Sequence, residues 1–207
     1  MNFKGVIIVE SLINPDILKK VKIPEKRIGL VASVQFLHKL DEAKKIIPNS
    51  VIVGQILGCN FTNTDKFENK VDAFLYIGSG PFHPIGLAYH TKKSVYVANP
   101  ITNEFTKIKQ EEVDKYMKEK KGKILSFLNA KKVGILVSVK PHQGNLKRAL
   151  EFQEKLKRKK ESFIFLCDNL DPSQFENFTD IEIWINTACP RIEHKKIINL
   201  QDALDLI

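Results

Sequence analysis

A chain of 207 residues is long enough for one large or two small domains, and 43% hydrophobic with 28% charged residues is the balance of a globular protein with a sizeable core. The net charge of +9 invites a nucleic-acid reading, but arginine occurs only at Arg27, Arg148, Arg158 and Arg191, and the densest lysine runs fall on apparent helices as solvated faces. Direct nucleic-acid binding is therefore not expected, and no apolar run is long enough for a signal peptide core or a membrane span, which points to a cytoplasmic protein with no membrane partner.

In chain order, strand-like runs fall at Gly5 to Val9, Ile28 to Val34, Val51 to Val53, Ala73 to Ile77, Ser94 to Ala98, Val133 to Val139, Phe163 to Cys167 and Ile181 to Asn186. Helical patterns alternate with them. One begins over Leu37 to Ile47, Gln110 to Leu128 puts Val113, Met117, Ile124, Phe127 and Leu128 on one face, and Leu146, Ala149, Leu150, Gln153 and Leu156 line another. The alternation predicts an α/β protein of two similar small domains, each a mostly parallel sheet flanked by helices. The boundary is placed near Asn129 to Lys132, giving domains at 25–130 and 131–207, with residues 1–24 attached to the first rather than integral to it.

Polar, glycine and thiol residues gather where the strands end: Gln35, Gly58-Cys59-Asn60, Gly78-Ser-Gly-Pro-Phe-His83, Asn99-Pro100, Pro141-His-Gln-Gly-Asn145, Cys167-Asp168 and Cys189-Pro-Arg191. In open parallel sheets this is the ligand edge. Gly78, Gly80 and Gly86 would let backbone approach a ligand, with helix amides after Pro84 offering an anion site, although such a string also serves as a plain turn. His83 alone reads equally as a structural histidine. Gly144 followed by Asn145 is ordinary helix-capping chemistry.

Three cysteines are an odd number, far apart, with no C-x-x-C pair. That excludes a disulfide framework, a zinc knuckle and thioredoxin-like chemistry, and the three closely spaced cysteines of the usual radical SAM loop are lacking too. Cys167 reads as a buried, inert thiol. Small and polar neighbours make Cys59 and Cys189 accessible, as metal ligands or as plain surface thiols.

The strings Val-Gln35-Phe-Leu-His38, Gly54-Gln-Ile-Leu-Gly-Cys59-Asn, Tyr76-Ile-Gly-Ser-Gly-Pro-Phe-His83-Pro, His142-Gln-Gly-Asn145 and Trp184-Ile-Asn-Thr-Ala-Cys189-Pro-Arg191 together resemble diphthamide synthase, the 2-(3-amino-3-carboxypropyl)histidine synthase of archaea and eukaryotes, over nearly the whole chain. The resemblance implies a 4Fe-4S cluster held by three cysteines, one from each of three similar domains. It implies S-adenosyl-L-methionine (SAM) bound at the open iron and cleaved to a 3-amino-3-carboxypropyl radical that adds to a histidine of translation elongation factor two, the first step of diphthamide synthesis. Cys59 and Cys189 match the second and third cluster ligands. Gln35, Gly78, Gly80, His83, Gln143 and Gly144 match positions facing the SAM pocket, and Arg191 would either hold its own loop or meet the SAM carboxylate. No catalytic residue beyond the cluster is implied.

This chain departs from the pattern at both ends. Its start corresponds to the end of the family's first domain, so the expectation is that residues 1–24 are a remnant and that the domain with the first cluster cysteine is missing. A run from Glu193-His-Lys-Lys196 to Ile207 also replaces the family's acidic pair and proline. The expected partner is then a separate chain supplying the first domain, with Cys167 as a substitute ligand in a second reading. In a third, the chain is a non-catalytic partner that stabilises or reduces a complete synthase subunit.

Overall fold

The runs at Ile28 and Ala73 lack any alternation of polar and apolar residues, which requires a sheet covered on both faces. They form β1 (Ile28–Ala32) and β3 (Ala73–Ile77), buried at every position. The computed structural model describes residues 16–57, 60–140 and 145–207; the expected strand at Gly5 to Val9, and Cys59, Gln143 and Gly144, lie outside them. The chain divides into two compact units between Asp114 and Lys115.

In the first unit, β2 (Ser50–Gln55), β1, β3 and β4 (Ser94–Asn99) run parallel in that order, and β5 (Glu104–Lys107) returns antiparallel at the edge. On one face, α1 (Asp16–Lys19), a 3-10 segment (Val34–Lys39) and α2 (Leu40–Ile46) pack Ile17, Leu18, Phe36 and Leu40 against Leu30, Leu75 and Ile77. On the other, α4 (Phe82–Thr91) brings Leu87 and Ala88 onto Val31, Phe74 and Tyr76, while α3 (Thr62–Asp65) follows β2. Leu30 pairs with Ile52 but Val31 with Gly54, so β2 carries one extra residue, and Gly54 takes the φ of +109° that this bulge needs.

The second unit has four parallel strands in the order β7 (Glu161–Cys167), β6 (Lys132–Ser138), β8 (Ile183–Asn186) and β9 (Ile197–Asn199). One face carries Val133, Ile135, Val137, Ile183 and Ile185 beneath Phe127 of α5 (Gln110–Asn129), Phe152 and Leu156 of α6 (Leu146–Leu156) and Ala203 of α7 (Leu200–Leu204). On the other, Trp184 stacks on Phe175, centroids 4.5 Å apart, from a second 3-10 segment (Pro172–Asn177). Gly134 is the register partner of Trp184, and its missing side chain makes room for the indole.

The architecture is the expected α/β one, two mostly parallel sheets flanked by helices. Three details differ from the sequence reading. The helix expected over Leu37 to Ile47 opens as the 3-10 segment, and β5 and β9 were not expected as strands. The helix placed after Pro84 begins two residues earlier, at Phe82. Among the described residues no helix is long and apolar enough to cross a membrane.

Candidate functional site

At the carboxyl edge of the first sheet, the amide of Ser33 donates to the carbonyl of Ile77 and that of Gly78 to Ala98, so the ends of β1, β3 and β4 are laced together. Gln35 follows β1 in the 3-10 segment and is exposed; Gly78, Gly80 and His83 follow the neighbouring strand β3. These four expected residues therefore share one edge. Because α4 starts at Phe82, the amides of its first turn belong to Phe82 and His83, whereas Pro84 has no N–H and that of Ile85 donates to the Pro81 carbonyl. The anion-facing amides expected after Pro84 are thus those before it. Gly80 has φ +76°, the left-handed conformation that turns the chain from strand to helix.

Tyr76, which the sequence reading did not single out, is fully buried beneath α4, and its hydroxyl lies 3.3 Å from Nδ1 of His83. This bond ties the imidazole to the sheet and leaves Nε2 as the other ring nitrogen. After β1, the Ser33 hydroxyl oxygen is shielded from solvent with no hydrogen-bond partner among the described residues. An open cavity of about 530 Å³, bordered by Gly80, Pro84, Val97, Asn99 and Glu104, adjoins the same edge.

Next to the undescribed Cys59, Leu57 and Asn60 exchange two backbone hydrogen bonds of 3.0 and 3.3 Å. The Asn60 carboxamide oxygen then accepts from both the amide and the hydroxyl of Thr62. The flanks of the cysteine are fixed by local side-chain to backbone bonds, as expected of asparagine in a turn.

In the second unit Cys189 and Arg191 lie on the loop after β8, with Cys189 half-buried and Arg191 exposed. Asn186, the last residue of β8, is only 2% exposed. Its side chain bonds both the amide of Ala188 and the carbonyl of Cys189. Thr187 anchors the same loop to β6, its amide and hydroxyl both donating to the Leu136 carbonyl. Cys167 is half-buried as well, not the buried thiol expected, and it ends β7, two strands from β8 in the sheet order. Its Sγ donates to the Val137 carbonyl at 3.5 Å, and burial pushes the thiol up from its ordinary pKa.

A single accessible thiol at a strand end suits iron as one ligand, since thiolates are the donors that iron–sulfur clusters take. Among the described residues no three His, Cys, Asp or Glu side chains come together as a metal site. Sequence reasoning missed Tyr76, Asn186 and Thr187. Their signal is a polar group at or next to the carboxyl end of an otherwise apolar strand.

Proteins of known character resemble this chain in sequence and fold. The 2-(3-amino-3-carboxypropyl)histidine synthase of Pyrococcus horikoshii is 29% identical over 204 residues, covering 92% of this chain and 57% of that protein. That of Methanocaldococcus jannaschii is 31% identical over 192 residues, covering 88% and 51%. Crystal structures of Dph2 from Pyrococcus horikoshii, one of them with a 4Fe-4S cluster, superpose at a TM-score of 0.74 with 27% identity, over 93% of this chain and about 60% of theirs. The chain spans between half and three-fifths of the length of these relatives. A family described as "Putative diphthamide synthesis protein" matches residues 7–197, and with these likenesses in sequence and fold the chain belongs to that diphthamide synthesis family.

Proposed function

We propose that this chain is a subunit, or the C-terminal part, of a diphthamide synthase, which transfers the 3-amino-3-carboxypropyl group of SAM to a histidine of translation elongation factor two in the cytoplasm. The observation that carries this reading is the Cys189 loop, a half-buried thiol at the carboxyl end of a strand with its backbone fixed by two neighbouring side chains. It is supported by the 4Fe-4S cluster in a structure that shares this chain's fold.

In this reading Cys59 and Cys189 each supply one thiolate to a 4Fe-4S cluster, and residues 25–130 and 131–207 correspond to the family's second and third domains. The cluster, when bound, supplies the electron and the open iron that cleavage of a carbon–sulfur bond in SAM requires. The chain's own residues bind and orient. The Gly78 to Gly80 turn admits the ligand close to backbone. His83, held through Nδ1 by Tyr76, presents its other nitrogen, and Gln35 and Gln143 offer amide groups for the polar end of SAM. Gly144 matches a position facing the SAM pocket in the family resemblance, and Arg191 provides a forked cation suited to the SAM carboxylate.

The chain acts with a partner that contributes a further cluster cysteine, because the family resemblance implies three cluster ligands and Cys59 and Cys189 match two of them. Anaerobic mixing with the partner, reductant, SAM and elongation factor two is expected to give the modified histidine, and to fail with Cys189→Ala. If modification by a complete synthase subunit survived Cys189→Ala in this chain, the chain would be a supporting partner rather than part of the catalyst.

A further inference from the structure

Asn186 is a buried amide with every hydrogen and its oxygen in use. Its Nδ2 donates to the Cys189 carbonyl at 2.9 Å and to Oδ1 of Asn199 at 3.1 Å, while its Oδ1 accepts from the Ala188 amide at 2.9 Å. Only one orientation of the carboxamide works. Flipped, the oxygen would face two other oxygens and the NH₂ group would face an N–H donor. Asn199 is the register partner of Asn186 across β8 and β9, so the parallel strand that the sequence reading did not expect supplies the acceptor.

We infer that Asn186 is the positioning residue of Cys189, orienting its backbone so that the thiol is presented to the metal before any metal binds, with Asn199 fixing the Asn186 amide. The Cys189 carbonyl accepts from both Asn186 Nδ2 and the Ile192 amide, 3.0 Å away. Pro190 follows with its own φ restricted by the ring. With the carbonyl of Cys189 held from two sides and Thr187 tied to β6, the direction of the Cα–Cβ bond that carries the thiol is set by the loop rather than by the ligand. Groups that orient a metal ligand without touching the metal typically change metal affinity about 10- to 100-fold when altered.

This inference rests on the reading of Cys189 as a cluster ligand, and its test is made without metal so that the two can fail separately. The full chain, iron-free, is alkylated with iodoacetamide, and the rates at Cys189 and Cys167 are resolved by peptide mass spectrometry. Cys167, in the same unit, is the internal reference. Asn186→Asp keeps the acceptor for the Ala188 amide but removes the donor to the Cys189 carbonyl. Asn199→Ala removes only the support of Asn186, and Asn199→Asp restores an acceptor oxygen. The expected result is a change of about threefold or more in the Cys189 rate relative to Cys167 in Asn186→Asp and Asn199→Ala, and a return toward the parent ratio in Asn199→Asp, each with native Trp184 emission. An unchanged ratio in Asn199→Ala, whose site is partly exposed, overturns the inference. Iron retained by Cys189→Ala would instead remove the ligand reading and leave the loop result standing.

Discussion

A Cβ placed on Gly78 would lie 2.5 Å from the phenolic oxygen of Tyr76, the same oxygen that meets His83. Only glycine lets that ring pass under the strand end. Gly78→Ala is therefore expected to displace Tyr76, at a cost of about 1–3 kcal/mol in urea unfolding, as overpacking of a close core contact does. Gly80→Ala meets no atom within 4 Å but must adopt φ +76°, and costs about 1 kcal/mol by strain alone. Equal losses at the two sites would contradict the distinction.

Tyr76→Phe keeps the ring and removes only the hydroxyl. The expected loss is about 0.5–1.5 kcal/mol, the net contribution of one hydrogen bond. The His83 imidazole resonances in NMR are expected to shift, because the partner of Nδ1 is gone. Unmoved His83 resonances would show that the tie between them does not form in solution.

His194 carries a pH prediction for the second unit. Burial, then the charges of Lys195, Lys196 and Lys123, lower its pKa from the ordinary 6.5. The unfolded chain thus binds this proton more readily than the folded one, so stability falls as pH drops below about 6.5 and levels off once pH is below the folded-state value. Urea midpoints read between pH 7.5 and 5 should drop, and His194→Gln should flatten that part of the profile.

Trp184 is the sole tryptophan and is 1% exposed, packed on Phe175 and facing Gly134. Blue-shifted emission is expected from it. A Cβ at residue 134 would come within 2.4 Å of the indole, so Gly134→Ala should shift the emission to the red and cost about 1–3 kcal/mol. Unshifted emission in that variant would mean the ring does not lie over the glycine.

The buried strands were legible because continuous runs such as Ala73 to Ile77 have few other uses. β5 and β9 were not. Glu104-Phe-Thr-Lys107 carries a charge at each end and is held only by its antiparallel neighbour, and Ile197-Ile-Asn199 is three residues long behind a pair of lysines. Pro84 suggested a helix start, yet proline is tolerated throughout a first turn, where its missing N–H is no loss, so the helix could begin at Phe82. At the candidate site, the motif strings marked which loops matter. They could not show that Asn186 grips Cys189, because its third bond goes to Asn199, on a strand that only the fold brings alongside.

Cys167 ends β7, two strands from β8, whereas the Cys189 loop is fixed by Asn186 and Thr187, so the two thiols are expected to differ in metal binding. Cys167→Ala should keep the metal of the assembled protein. Its cost is limited to about 1 kcal/mol of packing, the loss of a small half-buried group.

The most direct test counts iron in the chain purified with its partner under anaerobic conditions, with EPR of the reduced sample, for the parent and for Cys59→Ala, Cys167→Ala and Cys189→Ala. Loss of the iron and its signal in the Cys59 and Cys189 variants, with both kept in the Cys167 variant, is the predicted outcome. Full iron and an unaltered spectrum in Cys189→Ala would contradict the account.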